Sequence, residues 1–236
     1  TDEDYKGNPS DAAISEEETN YLIDVVNTYF KTKITQDDIV YSYSGVRPLL
    51  EEKNASAQEL TRDYKVELKG ETGKPVLLNI FGGKITTYRK LAEHAVDKLV
   101  TCFPKAKKAW TKEVPLPGGA FTDQASLVKK LTSEFPWLDK SIAERYARQY
   151  GLLCYKFLTG LTSLEEMGED FGAGLYRAEV DYLIDWEWAC TLEDVILRRT
   201  KHGLRLDRSQ QTALAQYITS NTNGTADVVN AEVASA

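Results

Sequence analysis

The chain has 236 residues, of which 42% are hydrophobic, enough for one large domain or two modest ones with buried cores. Its formal charge of −7 argues against a nucleic-acid-binding surface, because affinity for phosphate backbones comes chiefly from clustered Lys and Arg. Cys102, Cys154 and Cys190 are odd in number and far apart, and the histidines are His94 and His202, so neither a disulfide framework nor a metal site is expected.

In chain order, Thr1 to Asp11 is polar and reads as loop. No apolar stretch approaches the roughly 20 residues a membrane-spanning helix needs, and this polar start resembles no signal peptide, so a soluble or peripherally attached chain is expected. Ser15 and Glu18 have the spacing of a capping box, and Leu22, Val25, Val26 and Tyr29 then form an apolar stripe, which predicts a helix ending near Lys31. The run Ile39-Val40-Tyr41-Ser42-Tyr43-Ser44 is rich in β-branched and aromatic residues and predicts a strand delivering Gly45-Val46-Arg47-Pro48. After a polar loop, Arg62 to Leu68 alternates as a half-buried strand should. Gly70 and Gly73 mark a turn, and the apolar run Val76 to Phe81 predicts a buried strand. Gly82-Gly83-Lys84 ends that strand. The period then changes directly to that of a helix, with Ile85, Tyr88, Leu91, Ala92, Ala95, Val96 and Leu99 on one face.

Pro104, the basic run Lys105-Ala106-Lys107-Lys108, Pro115, Pro117, Gly118 and Gly119 predict a linker over 104–120. Beyond Phe121 helical patterns take over, over 123–135, 139–150, 178–188, 192–200 and 207–220. The expected fold class is therefore α+β: a small sheet with flanking helices over 1–103, then an all-α domain over 121–221. Residues 222–236 lack large apolar side chains and are expected to form a flexible tail.

A strand that ends in two glycines and opens into a helix presents backbone amides and the positive end of a helix dipole, and Lys84 adds a formal charge there. Arg47, Arg62 and Lys84 all fall at predicted strand ends, a placement that allows three cations to converge on a phosphate. Other motifs read as structural. Gly172-Ala173-Gly174 has Arg177 where a dinucleotide-binding fingerprint needs its last glycine, and no strand precedes it. Arg198-Arg199-Thr200-Lys201-His202 reads as a charged helix end rather than a partner-binding patch. His94 reads as a structural or solvated histidine, and Trp186 and Trp188 as packing residues.

Taken together, Tyr43-Ser44-Gly45-Val46-Arg47-Pro48-Leu49, Thr61-Arg62-Asp63-Tyr64 and the segment Phe81 to Glu93 closely resemble the bacterial aerobic glycerol-3-phosphate dehydrogenase family. The resemblance continues through Leu116-Pro117-Gly118-Gly119, Gly168 to Gly172 and Glu193 to Thr200. It implies that residues 1–103 are the C-terminal part of an FAD and substrate domain. The chain has no counterpart of the family's G-x-G-x-x-G, so about the first half of the enzyme is expected to be missing, and the chain alone is expected to be inactive. Gly82, Gly83, Lys84, Ile85 and Thr86 match the flavin-facing turn of the family. Arg47, Arg62 and Lys84 match positions around glycerol 3-phosphate and are the candidate catalytic residues. Arginine, with a pKa above about 12, is a poor proton acceptor, so it is assigned charge stabilisation and a histidine base is expected on the missing part.

The reaction implied is oxidation of glycerol 3-phosphate to dihydroxyacetone phosphate, with a hydride passing to FAD and electrons leaving to quinone. The resemblance also implies peripheral attachment to the cytoplasmic face of the cell membrane, allows a homodimer, and gives no role for nucleic acid. Two alternatives stand beside it: a glycerol-3-phosphate oxidase using oxygen, and a non-enzymatic helical interaction module.

Overall fold

Proline and glycine punctuate the chain over 104–120, and the chain divides within that stretch into two compact units, Thr1–Val114 and Pro115–Ala236. The computed structural model describes residues 5–46, 63–71, 73–103 and 105–234.

In the first unit, helix α1 spans Glu16–Tyr29 and starts at the predicted capping box, the Ser15 hydroxyl accepting from the Glu18 amide at 3.1 Å and the Glu18 carboxylate accepting from the Ser15 amide at 3.0 Å. Strands β1 (Lys65–Lys69) and β2 (Leu77–Phe81) pair antiparallel, with Lys65 opposite Phe81 and Lys69 opposite Leu77. Helix α2 spans Tyr88–Leu99.

Four expectations are corrected here. Ile39–Val46 is not a strand: no described residue pairs with it, and β-branched and aromatic residues become a strand only where a partner supplies the ladder. The sheet is therefore two-stranded among the described residues. The second correction concerns β2, which is not buried, since Leu77 is 60% exposed and Ile80 and Phe81 are exposed as well. Third, α2 does not open directly from Lys84, because a 3-10 turn over Ile85–Thr87 precedes it. Fourth, its inward stripe is narrower than predicted: Leu91, Ala95 and Leu99 turn inward while Ile85, Tyr88 and Val96 are exposed. Ala95 is the single buried apolar residue among the described residues of this unit.

The second unit holds the core. Helices α3 (Gln124–Glu134) and α4 (Lys140–Gln149) start where an aspartate accepts from a first-turn amide, Asp123 from Ser126 at 2.9 Å and Asp139 from Ser141 at 2.7 Å. A 3-10 turn over Gly151–Cys154 runs into the short α5 (Tyr155–Leu158), neither of which the sequence pattern predicts. Helix α6 spans Arg177–Glu187 and α7 spans Arg208–Ala234. Around Tyr146, Tyr150, Phe157 and Tyr182 the rings meet edge-on or tilted at 5.0–5.9 Å between centroids, the geometry aromatic quadrupoles prefer. Leu131, Leu158, Leu183 and Leu214 are fully buried around them.

Three further readings are revised. The predicted helix over 192–200 is a six-residue π-helix, Asp194–Arg199. The backbone of 222–234 continues α7 where a flexible tail was expected; once a helix is nucleated, each added residue such as Ala gains one hydrogen bond for one residue fixed. Trp186 and Trp188 do not pack inside. Both are exposed, with the Lys156 ammonium 3.4 Å above the Trp186 ring centroid.

Candidate functional site

The β1–β2 register places the residues before Lys65 opposite those after Phe81, so Asp63 and Tyr64 face the Gly82-Gly83 turn. Gly82 has φ +68° and Gly83 φ +121°, a region that side-chain-bearing residues rarely adopt. A Cβ on Gly83 would meet Leu91 Cδ1 of α2 at 3.0 Å and Tyr64 Cβ at 3.5 Å. The turn is thus clamped on one side by β1 and α2, and the Tyr64 ring adds a contact to His94 on α2 at 5.7 Å between centroids. Gly82, Gly83, Lys84, Ile85 and Thr86 all remain exposed, and Ile85 is 88% exposed.

Lys84 Nζ lies 3.1 Å from Asp63 Oδ1, with the two side chains 47% and 78% exposed. A pair this open to water is worth about 0–1 kcal/mol, so Asp63 orients the lysine without preventing it from meeting another anion. Behind it, the Thr87 hydroxyl donates to the Lys84 carbonyl at 2.9 Å and fixes the backbone of the turn. On α2, Glu93 accepts from Arg89 at 2.6 Å and from the Thr111 hydroxyl at 2.7 Å, and those contacts hold its carboxyl below the usual range, Thr111 contributing most.

Five predicted site residues, Gly82 to Thr86, therefore form one exposed turn. Arg47 and Arg62 lie outside the described residues; Arg62 adjoins Asp63 in sequence. Asp63 and Thr87 were given no role by sequence reasoning; Thr87 directly follows the motif, and Asp63 faces it across the hairpin. Two Cβ-free residues on an exposed turn offer a surface that a flat ring can approach closely, so these residues fit a flavin.

A second polar constellation lies inside the second unit. Glu179 is fully buried and takes a two-pronged contact from the Arg145 guanidinium, one prong at 2.8 Å, together with the Tyr150 hydroxyl at 2.6 Å. Arg145 also donates to the Gly174 carbonyl at 2.7 Å. Burial pushes the Tyr150 hydroxyl well above the ordinary phenol range, and the Glu179 charge pushes the same way. Burial opposes the Arg145 charge, but the hydrogen bond and charge of Glu179 outweigh it and raise its pKa. No sequence pattern joins these residues, since Glu179 lies 34 positions from Arg145 and 29 from Tyr150.

Residues 109–221 match the family described as the C-terminal domain of alpha-glycerophosphate oxidase. The chain is 46% identical over 219 residues to the aerobic glycerol-3-phosphate dehydrogenase of Escherichia coli K12, a match covering 92% of this chain and 44% of that protein. A glycerol-3-phosphate dehydrogenase of Pseudomonas aeruginosa is also 46% identical, over 93% of this chain and 43% of its own length. The D-erythritol 1-phosphate dehydrogenase of Brucella abortus is 42% identical, over 92% of this chain and 43% of its own. The chain thus spans less than half the length of these relatives.

Proposed function

Because the chain is similar along most of its length to the C-terminal portion of bacterial aerobic glycerol-3-phosphate dehydrogenases, we propose that it belongs to that family and supplies one wall of a flavin and polyol-phosphate site. The observation that carries this reading is the exposed Gly82-Gly83-Lys84 turn with both glycines at positive φ and a cation at its end. Gly82 to Thr86 would hold FAD, which when bound accepts the hydride from the substrate's secondary alcohol. Lys84, with Arg62 and Arg47, binds and orients the phosphate. Asp63 positions Lys84, and the Thr87 hydroxyl holds the backbone beneath it. The uncovered apolar faces of β2 and α1 support the same reading, since in the complete enzyme further chain would pack on them.

The substrate proposed is sn-glycerol 3-phosphate, oxidised to dihydroxyacetone phosphate, with quinone as final acceptor and peripheral attachment at the cytoplasmic face of the cell membrane. The family description, which names an oxidase, favours oxygen as a second acceptor. Peroxide release set against quinone reduction by the complete enzyme separates the two. For the phosphate site, Arg62→Lys in the complete enzyme is expected to weaken glycerol 3-phosphate about ten- to hundred-fold, since a point charge does not reproduce a bidentate fork. Glycerol, which lacks the phosphate, should be affected far less. Equal losses for both ligands would overturn the assignment. Lys84→Ala should in addition alter the flavin absorbance or its rate of reduction.

A further inference from the structure

Within the second unit, α4 and the segment after the π-helix bound a cavity of about 270 Å³. Arg145 and Arg148 reach it from α4, three residues apart and so on one face, while Lys201, His202 and Arg205 reach it from the turn before α7. No acidic side chain lines it among the described residues. Three of its cations are already engaged: Arg145 with Glu179 and the Gly174 carbonyl, Arg199 of the π-helix with the Glu187 carbonyl and Asp194, and Lys201 with the Leu197 carbonyl. Arg148 and Arg205 are different. Both are exposed, and neither makes a side-chain hydrogen bond or ion pair with any described residue.

His202 adds an independent signal. It is 4% exposed, and its Nε2 is buried without a hydrogen-bond partner, a state that costs free energy unless something else completes it. A backbone hydrogen bond at Ala173 favours the ring's charged form. Two uncompensated guanidinium forks beside an orphaned imidazole nitrogen ask for acceptor oxygens in more than one plane. A planar carboxylate offers two oxygens in one plane, whereas a tetrahedral oxyanion serves all three groups.

We propose that this cavity binds a tetrahedral oxyanion, inorganic phosphate or the phosphoryl group of an ester, held by the Arg148 and Arg205 forks with His202 as the third contact. The phosphoryl group can come from a soluble ester or from a lipid headgroup. Beside an anion, Nε2 donates only when the ring carries its second proton, so binding takes up a proton and tightens as pH falls. The charged groups around the ring are Arg145 and Arg148 on α4, Glu179 on α6, Arg199 at the end of the π-helix, and Lys201 and Arg205 on its own segment. Burial, Arg145 and Arg205 oppose its protonation, and Glu179 favours it. A bound dianion tips that balance.

Calorimetric titration of the full chain with sodium sulfate, at constant ionic strength and at pH 6 and pH 8, tests this, because sulfate stays a dianion throughout and leaves any pH dependence to the protein. Saturable one-to-one binding is expected, about ten-fold tighter at pH 6. The double variant Arg148→Gln/Arg205→Gln removes exposed, unpartnered side chains and should melt as the parent does, while losing on the order of a hundred-fold in sulfate affinity. Inorganic phosphate at pH 8 should compete with sulfate. For the source, the chain is sedimented with phosphatidylglycerol vesicles and with phosphatidylcholine vesicles. Retention on phosphatidylglycerol alone, released by inorganic phosphate and absent in the double variant, assigns a lipid headgroup; sulfate binding without retention assigns a soluble ester. Absence of saturable sulfate binding at pH 6, equal affinity at the two pH values, undiminished binding by the double variant, or vesicle retention that phosphate does not release would overturn the proposal.

Discussion

Glu179 is the side chain on which the second unit's polar interior turns, since it accepts from Arg145 and Tyr150 with no water contact of its own. Removing one member of a buried ion pair leaves the other charged and unpaired, which costs about 3–5 kcal/mol. Glu179→Ala is therefore expected to lower the unfolding free energy by that much in urea melts. Tyr150→Phe removes one donor to a carboxylate that keeps its arginine, and about 1.5–3 kcal/mol is expected. If the two variants cost the same, Arg145 is not relying on Glu179. At this scale the sequence was informative where chemistry is local. Lys84 stands beside the two glycines that position it, so its place at the turn was readable. Asp63, its partner, lies 21 residues away and becomes a neighbour through the hairpin register alone. The Arg145–Glu179 pair and the burial of His202 follow from packing between helices, for which no residue spacing is a guide.

Among the elements, helix starts were the most legible part of the fold, because a cap is a rule about four consecutive residues. Ser15, Asp123 and Asp139 each begin a helix as the sequence indicates. Asp139→Ala should lower the midpoint of the second unit in a thermal melt, and Asp139→Asn should recover most of the loss. The strand expected at 39–44 failed for the opposite reason, since a strand is defined by a partner. The π-helix was hidden too: its defining contacts, the Thr200 amide to the Val195 carbonyl at 3.0 Å and the Thr200 hydroxyl to the same oxygen at 2.7 Å, depend on one wider turn. Where α4 gives way to the following 3-10 turn, Gly151 has φ +55° and a Cβ there would fall 2.3 Å from the Gly118 carbonyl oxygen, which accepts from the Leu152 amide. Gly151→Ala is thus expected to break the contact that ties Gly118 to this corner, lowering the melting midpoint by more than the roughly 1 kcal/mol of an ordinary glycine replacement. An unchanged midpoint would show that the corner opens without cost.

On the scale of the whole molecule the burial is lopsided, with nearly every buried apolar side chain among the described residues in Pro115–Ala236. Limited proteolysis of the intact chain should therefore cut first before Pro115 and leave a resistant fragment beginning near it. The stability of that fragment carries a pH dependence whose direction follows from its histidine. Burial, then the Arg145 charge, hold the folded pKa of His202 below the ordinary value, and Glu179 offsets part of this. In the unfolded chain the ring titrates near 6.5. Above that pH neither state is protonated, and the histidine adds no pH dependence. As pH falls below it, the unfolded state takes up a proton that the folded state refuses, and stability is lost at up to about 1.4 kcal/mol per pH unit until the folded pKa is reached. Asp139 and Asp207 behave in the opposite sense. Hydrogen bonds, chiefly from Ser141 and from the Gln210 amide, depress their folded pKa values, so the stability they contribute is present above about pH 4 and lost below it. Two separate declines are expected in midpoints recorded from pH 8 to pH 3 in chloride buffers. The first should begin near pH 6.5 and the second near pH 4. His202→Gln should flatten the first and leave the second. A parent midpoint that stays level from pH 8 to pH 5 would mean that the folded ring accepts its proton freely, and with it the burial that makes Nε2 an orphan would have to be given up.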